Sequence, residues 1–315
     1  MANVRSNQRA LLHGRQTSPG VAEALTPATH GIPKFYNLQR FKPDLKPMAN
    51  DNQARDGWGH NDPQFDTGAQ VIPIKFDIPL WAPAANGAPL PVVGEILSGA
   101  CQMTETINAG DVVYELLEPT DYFAAPSSTF YGYERGKKYV AATARGTATL
   151  KGGVNQPILL SVDARAPFVM PTAGEVIPAG IPTATGTLLL FTSGLAVTAD
   201  GSTISITQFE LDFGLKFEDD PRSGGVTVVV TNAMPTLKIG RDAVASEKEW
   251  DSILAATSVH FVFTWNGAVL DIPTAIKKDS TPVDHKGTEL SDEVWEIHHA
   301  VGVSPFSLTV TAPAP

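Results

Sequence analysis

A chain of 315 residues, 43% of them hydrophobic, can build one large β-domain or two of modest size. Its formal charge of −10 argues against nucleic-acid binding, because an acidic body repels phosphates instead of releasing their counterions. Cys101 is the only cysteine, which excludes an internal disulfide and any multi-cysteine metal site. No uninterrupted apolar run reaches the length of a helical membrane span.

The chain opens with a polar, irregular stretch. Met1–Leu12 has no apolar core of the kind a secretory signal carries. Up to Lys46 the basic residues Arg5, Arg9, Arg15, Lys34, Arg40, Lys42 and Lys46 face only Glu23 and Asp44; seven minus two gives +5 and leaves −15 on the rest. With turn signals at Asn50-Asp51, Asp56-Gly57 and Asn61-Asp62-Pro63, residues 1–70 read as an extended arm, whose basic part is either a solvated, disordered leader or a segment that docks on the acidic body of a neighbouring subunit.

Residues 71–165 read as a first β-domain. Ile74, Phe76, Ile78 and Leu80 alternate with Lys75, Asp77 and Pro79, so the run is a half-buried strand that Pro79 ends. Leu90, Val93, Ile96, Leu97 and Cys101 share one face of a helix over 90–103, which makes Cys101 a buried small hydrophobe. Strands follow at 112–117, 130–133, 139–143, 147–150 and 158–164, with a hairpin turn at Glu134–Lys137 and a bulge at Arg145-Gly146.

Residues 166–186, rich in proline and glycine, read as a linker, and 187–315 as a second β-domain. Strands at 188–191 and 195–198 meet a turn at Asp200-Gly201. In the run 209–218, Phe209, Leu211, Phe213, Leu215 and Phe217 alternate with Glu210, Asp212, Gly214, Lys216 and Glu218, so one strand lies between a core and water. After a strand at 226–230, Ser246 and Glu249 make a capping box that opens a helix over 246–256. Asn266-Gly267 joins a hairpin of 259–265 with 268–272, and strands at 293–301 and 306–310 close the chain. Each half thus holds a long alternating strand, one short helix and hairpins, the pattern of an internal duplication.

Catalytic signatures are absent: there is no phosphate-binding glycine loop, no dinucleotide fingerprint and no nucleophile elbow around Ser98-Gly99. His298 and His299 point to opposite faces of a strand and cannot chelate one ion together, although Glu296 and His298 share a face that a third ligand such as His285 could join. Glu218-Asp219-Asp220 reads as a solvated turn or a patch for the basic arm. Tyr131, Tyr133 and Tyr139 suit either hairpin packing or a sugar-stacking platform.

Several stretches, in this order, resemble the tail tube proteins (major tail proteins) of long-tailed, non-contractile bacteriophages. They are Arg9-Ala10-Leu11-Leu12 with Thr17-Ser18-Pro19-Gly20, Leu97–Cys101 with Glu105-Thr106, Tyr114–Thr120, Tyr131–Lys138, Ala144-Arg145-Gly146, Phe209–Gly214 and Thr231–Pro235. The resemblance implies a mainly β fold: two tandem tail-tube-like β-sandwich or barrel domains, each with one short flanking α-helix, plus the extended N-terminal arm. It implies a non-enzymatic virion protein without a cofactor, assembled in the host cytoplasm into stacked rings of three two-domain chains, or six if only one domain is present. The partners implied are the chain itself, a tape-measure protein, tail terminator and distal tail proteins, and DNA in transit, with no membrane. Lumen-facing candidates are Lys75, Asp77, Glu210, Asp212, Lys216 and Glu218, and candidates for inter-ring contact are the seven basic arm residues. Loss of Met1–Lys46 should then leave folded subunits that cannot stack. The competing readings are another virion β-protein (baseplate hub, tail terminator or capsid decoration) and a carbohydrate-binding β-protein.

Overall fold

The structure, a computed structural model, describes residues 9–18, 20–49, 65–116, 126–191, 195–222, 225–242, 253–285, 288–300 and 302–312. It is mainly β, built of large antiparallel sheets. In chain order the strands are β1 (Arg9–Arg15), β2 (Asp44–Ala49), β3 (Phe65–Pro79), β4 (Trp81–Ala82), β5 (Met103–Ile107), β6 (Val112–Leu116), β7 (Ser128–Glu134), β8 (Lys137–Gly153), β9 (Leu159–Pro167), β10 (Thr172–Ala173) and β11 (Thr187–Leu188). They continue with β12 (Ala196–Ala199), β13 (Ser202–Ile204), β14 (Ile206–Asp212), β15 (Leu215–Arg222), β16 (Gly225–Ala233), β17 (Thr236–Asp242), β18 (Ser258–Trp265), β19 (Ala268–His285), β20 (Thr288–Ile297) and β21 (Ser307–Val310). Two short helices are described, α1 (Pro27–His30) and α2 (Val93–Gly99).

One antiparallel sheet runs β3-β9-β8-β14-β17-β20-β19. Its two long strands each serve two neighbourhoods. The first half of β8 pairs with β7, which pairs with β1, while the second half pairs with β9 and β14. Likewise the first half of β19 lies between β18 and β21, and the second half pairs with β20. Strands turned back in this way form a second layer, and aromatic side chains fill the space between layers. Phe209 meets Phe263 at 5.1 Å and Trp265 at 5.7 Å, Phe213 meets Phe306 at 4.9 Å, and Phe261 meets Trp295 at 4.9 Å.

The strand order repeats. After β3, and past the intervening β4, α2, β5 and β6, come β7, β8 and β9, with β9 returning beside β3; β17 is likewise followed by β18, β19 and β20, with β20 returning beside β17. The two halves are continuous with each other. Thr149–Gly153 of β8 pairs with Gln208–Asp212 of β14, β21 crosses back to β6, and one cluster of buried side chains runs through both.

Local chemistry explains where the chain departs from its sequence pattern. The alternating run at 209–218 is two strands, because Gly214 (φ 62°) turns the chain where a Cβ would press into the carbonyl of Met234. Strands expected at 139–143 and 147–150 are one strand, β8. Its irregularity falls at Thr143 (φ 56°), ahead of the Arg145-Gly146 position, and Gly146 instead allows a close approach to Asp163. The helix expected over 90–103 is shorter, Val93–Gly99, with Ile96, Leu97 and Cys101 buried as its spacing requires. Most of the helix expected over 246–256 lies outside the described residues. Asn266-Gly267 and Glu134–Lys137 turn their hairpins at the expected places.

The N-terminal stretch is more structured than an arm. Arg9–Arg15 is a strand paired along its whole length with β7, and Leu11 and Leu12 are fully buried. Removing Met1–Lys46 would therefore take a strand out of the core, and the expected folded, non-stacking truncation does not follow. The stretch 166–186 is mostly irregular, but Ile177 and Ile181 pack on Leu12 and Tyr133.

Two charged clusters are built into the protein. Arg145 (1% exposed) donates Nη1 to the Val228 carbonyl at 2.8 Å and Nε to the Pro126 carbonyl at 3.3 Å, tying the β15–β16 hairpin to β8; burial pulls its pKa down. Under the far end of the sheet Glu293 accepts from Lys277 (2.8 Å) and Arg241 (2.7 Å), and its other oxygen from Trp295 Nε1 (3.2 Å). Glu293 and Lys277 are both buried. Glu293→Gln should destabilise the fold by roughly 3–5 kcal/mol, since the buried Lys277 loses its counter-charge away from water. Urea unfolding measures it, and a change below about 1 kcal/mol would contradict this role for the cluster.

Candidate assembly surface

Side chains alternate along every strand, so a sheet with one face in the core must present its other set together. On the face of β3-β9-β8-β14-β17-β20-β19 turned away from the core, oppositely charged residues are joined across strands. Lys75 pairs with Asp163, Lys151 with Asp77 (3.5 Å), Lys238 with Glu210 (3.1 Å) and Lys278 with Glu296 (2.7 Å). Gln208 donates to Asp292 (3.3 Å), and Asp212 accepts from the backbone N–H of Gly214 (2.9 Å). The carboxylates Asp77, Asp163, Glu210, Asp212, Asp292 and Glu296 outnumber the four lysines, so this band is acidic. Burial opposes the charge on Asp77, yet the neighbouring Ser161 hydroxyl, a hydrogen bond from Asn37 (2.7 Å) and the nearby Lys151 hold its carboxyl below the usual range. Glu296 is lowered by its hydrogen bond from Lys278.

Four of the six lumen candidates, Lys75, Asp77, Glu210 and Asp212, stand on this face. Lys216 and Glu218 do not join them, because the turn at Gly214 carries both onto the separate β15–β16 hairpin, where they are exposed. That hairpin covers one end of the face, with Arg165 3.8 Å from Asp219 and 4.9 Å from the Phe217 ring. Residues that local pattern did not single out, Lys151, Asp163, Lys238 and Lys278, complete the band. Their signal is cross-strand register, which is not local in sequence.

The basic arm residues are partly spent within the chain. Arg9 (3.0 Å) and Arg40 (4.0 Å) converge on the buried Glu134, and Lys34 lies 5.3 Å from the Tyr36 ring centroid. Arg15 and Lys42 are exposed, whereas Arg5 and the Lys46 side chain lie outside the described residues. The tyrosines are engaged as well. Tyr131 donates to the Glu23 carbonyl with Lys138 over its ring, Tyr139 stacks on Phe41, and Tyr133 is buried.

One row of residues imitates catalytic machinery. His13 Nε2 lies 2.8 Å from Ser128 Oγ, and His13 Nδ1 lies 3.9 Å from Glu95. Ser128 is fully buried, with Gly99 so close that a Cβ there would strike its hydroxyl. Burial, helped by the charge of His30, lowers the His13 pKa to about 3, so the ring is neutral and its contact with Glu95 is not an ion pair. A nucleophile sealed from substrate does no chemistry. Among the described residues no three of His, Cys, Asp or Glu are placed to hold a metal ion, and no helix is long and apolar enough to cross a membrane. No protein-family model matches the chain, and no curated protein matches it.

His13 sets a pH dependence. Its folded pKa lies below the unfolded value of 6.5, so between these values the unfolded chain holds the extra proton. Its contribution is intact above pH 6.5 and declines as pH falls towards about 3, amounting to roughly 2 kcal/mol lost by pH 5. Urea unfolding at pH 7 and pH 5 should show that His13→Gln loses about 2 kcal/mol less than the parent. Equal losses in both proteins would contradict the buried, neutral ring.

Proposed function

We propose that this chain is the structural subunit of a phage tail tube, in which rings of three chains stack around a tape-measure protein and DNA later passes along the charged sheet face. The observation that carries the reading is the repeated strand order, with both repeats joined edge to edge into one sheet whose outward face is a band of paired charges. A sheet of this kind has open edges, which are hazards in a monomer and become joints in a closed ring. Its lysines are already held by carboxylates on neighbouring strands, and carboxylates are in excess, so phosphates gain little by stopping there. The order of motifs shared with tail tube proteins points the same way. Terminator and distal tail proteins would close the two ends of the tube, with the virion as its location.

The inter-ring role falls to the stretch ahead of β1, which carries Arg5, together with the exposed Arg15 and Lys42. Negative-stain electron microscopy of the purified protein, over a range of concentrations and with a tape-measure fragment added, should show hollow stacked tubes. Removal of Met1–Gln8 should leave rings that stack poorly. Single rings of the full chain that never stack would favour a terminator or hub, and a permanently monomeric protein under every condition would contradict the proposal.

A further inference from the structure

Away from the charged sheet face, the end of β1, α1, α2 and β5 close around a cavity of about 390 Å³. Its charged lining is three carboxylates, Glu23, Glu95 and Glu105, against the guanidinium of Arg15 and the His30 ring. Gly14 lets His30 lie close, since a Cβ there would come within 3.2 Å of the ring. His30 Nδ1 accepts from the Thr26 N–H (3.0 Å), which leaves the proton of the neutral ring on Nε2. Glu23 is already engaged by the Thr17 N–H (2.7 Å) and hydroxyl (2.5 Å). Among the described residues, no lysine or arginine side chain lies at ion-pair distance from Glu95 or Glu105.

A second, independent feature points into the same place. Behind Glu95 stands His13, fully buried, with Nε2 2.8 Å from Ser128 Oγ. Its Nδ1 has no hydrogen-bond partner and is directed at the Glu95 carboxylate, 3.9 Å away. With Nε2 donating to Ser128, Nδ1 of the neutral ring is a bare acceptor, and a buried acceptor without a donor costs free energy. We propose that this cavity binds a primary ammonium group, which donates to Glu95, Glu105 and His13 Nδ1.

The chemistry of the lining selects the ligand class. The three groups waiting for a partner are all acceptors, and an ammonium offers three N–H donors and no acceptor. Carboxylates exceed cations here, so the ligand must also bring positive charge. A metal ion fits less well, because among the described residues no three ligating side chains converge tightly enough to hold one. An ammonium works at hydrogen-bond distances near ~2.8 Å, and a single nitrogen at that distance from both spans acceptors 3.9 Å apart. A guanidinium would place its planar fork on one carboxylate and leave Nδ1 unmet. Two sources supply the group, a free alkylamine and the lysine side chain of a partner, and the cavity has room for either. Nothing in this inference depends on the tube reading.

Isothermal titration calorimetry of the full chain at pH 7 and low salt tests it, with butylamine, 1,4-diaminobutane and Nα-acetyl-lysine N-methylamide as probes. At least one primary amine should bind saturably with a Kd of about 1 mM or tighter. The Glu95 side chain is 57% exposed, so Glu95→Gln keeps the fold, and it should weaken binding at least about tenfold; Glu105→Gln is the second variant. Tetramethylammonium, which has the charge and no N–H, should not bind. In protein labelled with 15N-histidine, the amine should move the Nδ1 resonance of His13, assigned by its loss in His13→Gln. Binding of the lysine analogue as tightly as butylamine assigns the site to a partner's side chain, whereas binding of the alkylamines alone assigns it to a free amine. No saturable binding of any primary amine overturns the proposal. So does equal binding of tetramethylammonium, displacement of the amine by equimolar calcium, or unchanged affinity in both glutamine variants.

Discussion

The pairing of Thr149–Gly153 with Gln208–Asp212 is the contact on which the rest of this architecture depends. Below it, Leu150 and Leu211 are buried side by side and Phe209 reaches the aromatic layer of Phe263 and Trp265. Above it, Lys151 and Glu210 stand in the charged band. A backbone ladder here removes two open edges at once and makes one sheet of two repeats. Without it each repeat would expose an unpaired edge, and the core that now runs from Leu11 to Val310 would be cut across its middle.

Charge is used in two physically distinct ways. The buried pair of Lys277 and Glu293, with the half-buried Arg241 beside it, and the sealed guanidinium of Arg145 sit under the sheet and the hairpin; breaking the Lys277–Glu293 pair leaves an uncompensated charge away from water, so these contacts fix one arrangement of strands and hairpin. The cross-strand pairs on the open face, such as Lys238 with Glu210, are solvated and contribute about 0–1 kcal/mol each. A band with so little stabilising value is better understood through the surface it presents. It is acidic, internally neutralised in part, and continuous across the β8–β14 pairing.

Much of the local structure was legible in the sequence. Asn266-Gly267 needed the positive φ that Gly267 supplies, and strict alternation from Ile74 to Leu80 could only be a half-buried strand. What escaped detection was either too short or non-local. The buried run Ala10–His13 is brief and sits among polar residues, so β1 looked like part of an arm. Alternation persists straight through Gly214, so nothing in the spacing marks the turn that moves Lys216 and Glu218 away from Glu210 and Asp212. The β8–β14 pairing joins residues almost sixty positions apart, and no local propensity says that Lys151 will stand beside Glu210. For the same reason the charged band was only half visible: its residues were present, but the register that gathers them is a property of the whole sheet.

The central claim is that the charged face of the joined repeats forms the inner wall of a ring. A cryo-electron microscopy map of the assembled protein, averaged about its axis, tests this most directly. The account predicts threefold chain symmetry with a sixfold-like repeat of sheet units, and Asp77, Glu210 and Glu296 turned towards the axis. A map that places this face on the outside of the particle, or in a contact that buries it against another protein layer, would contradict it.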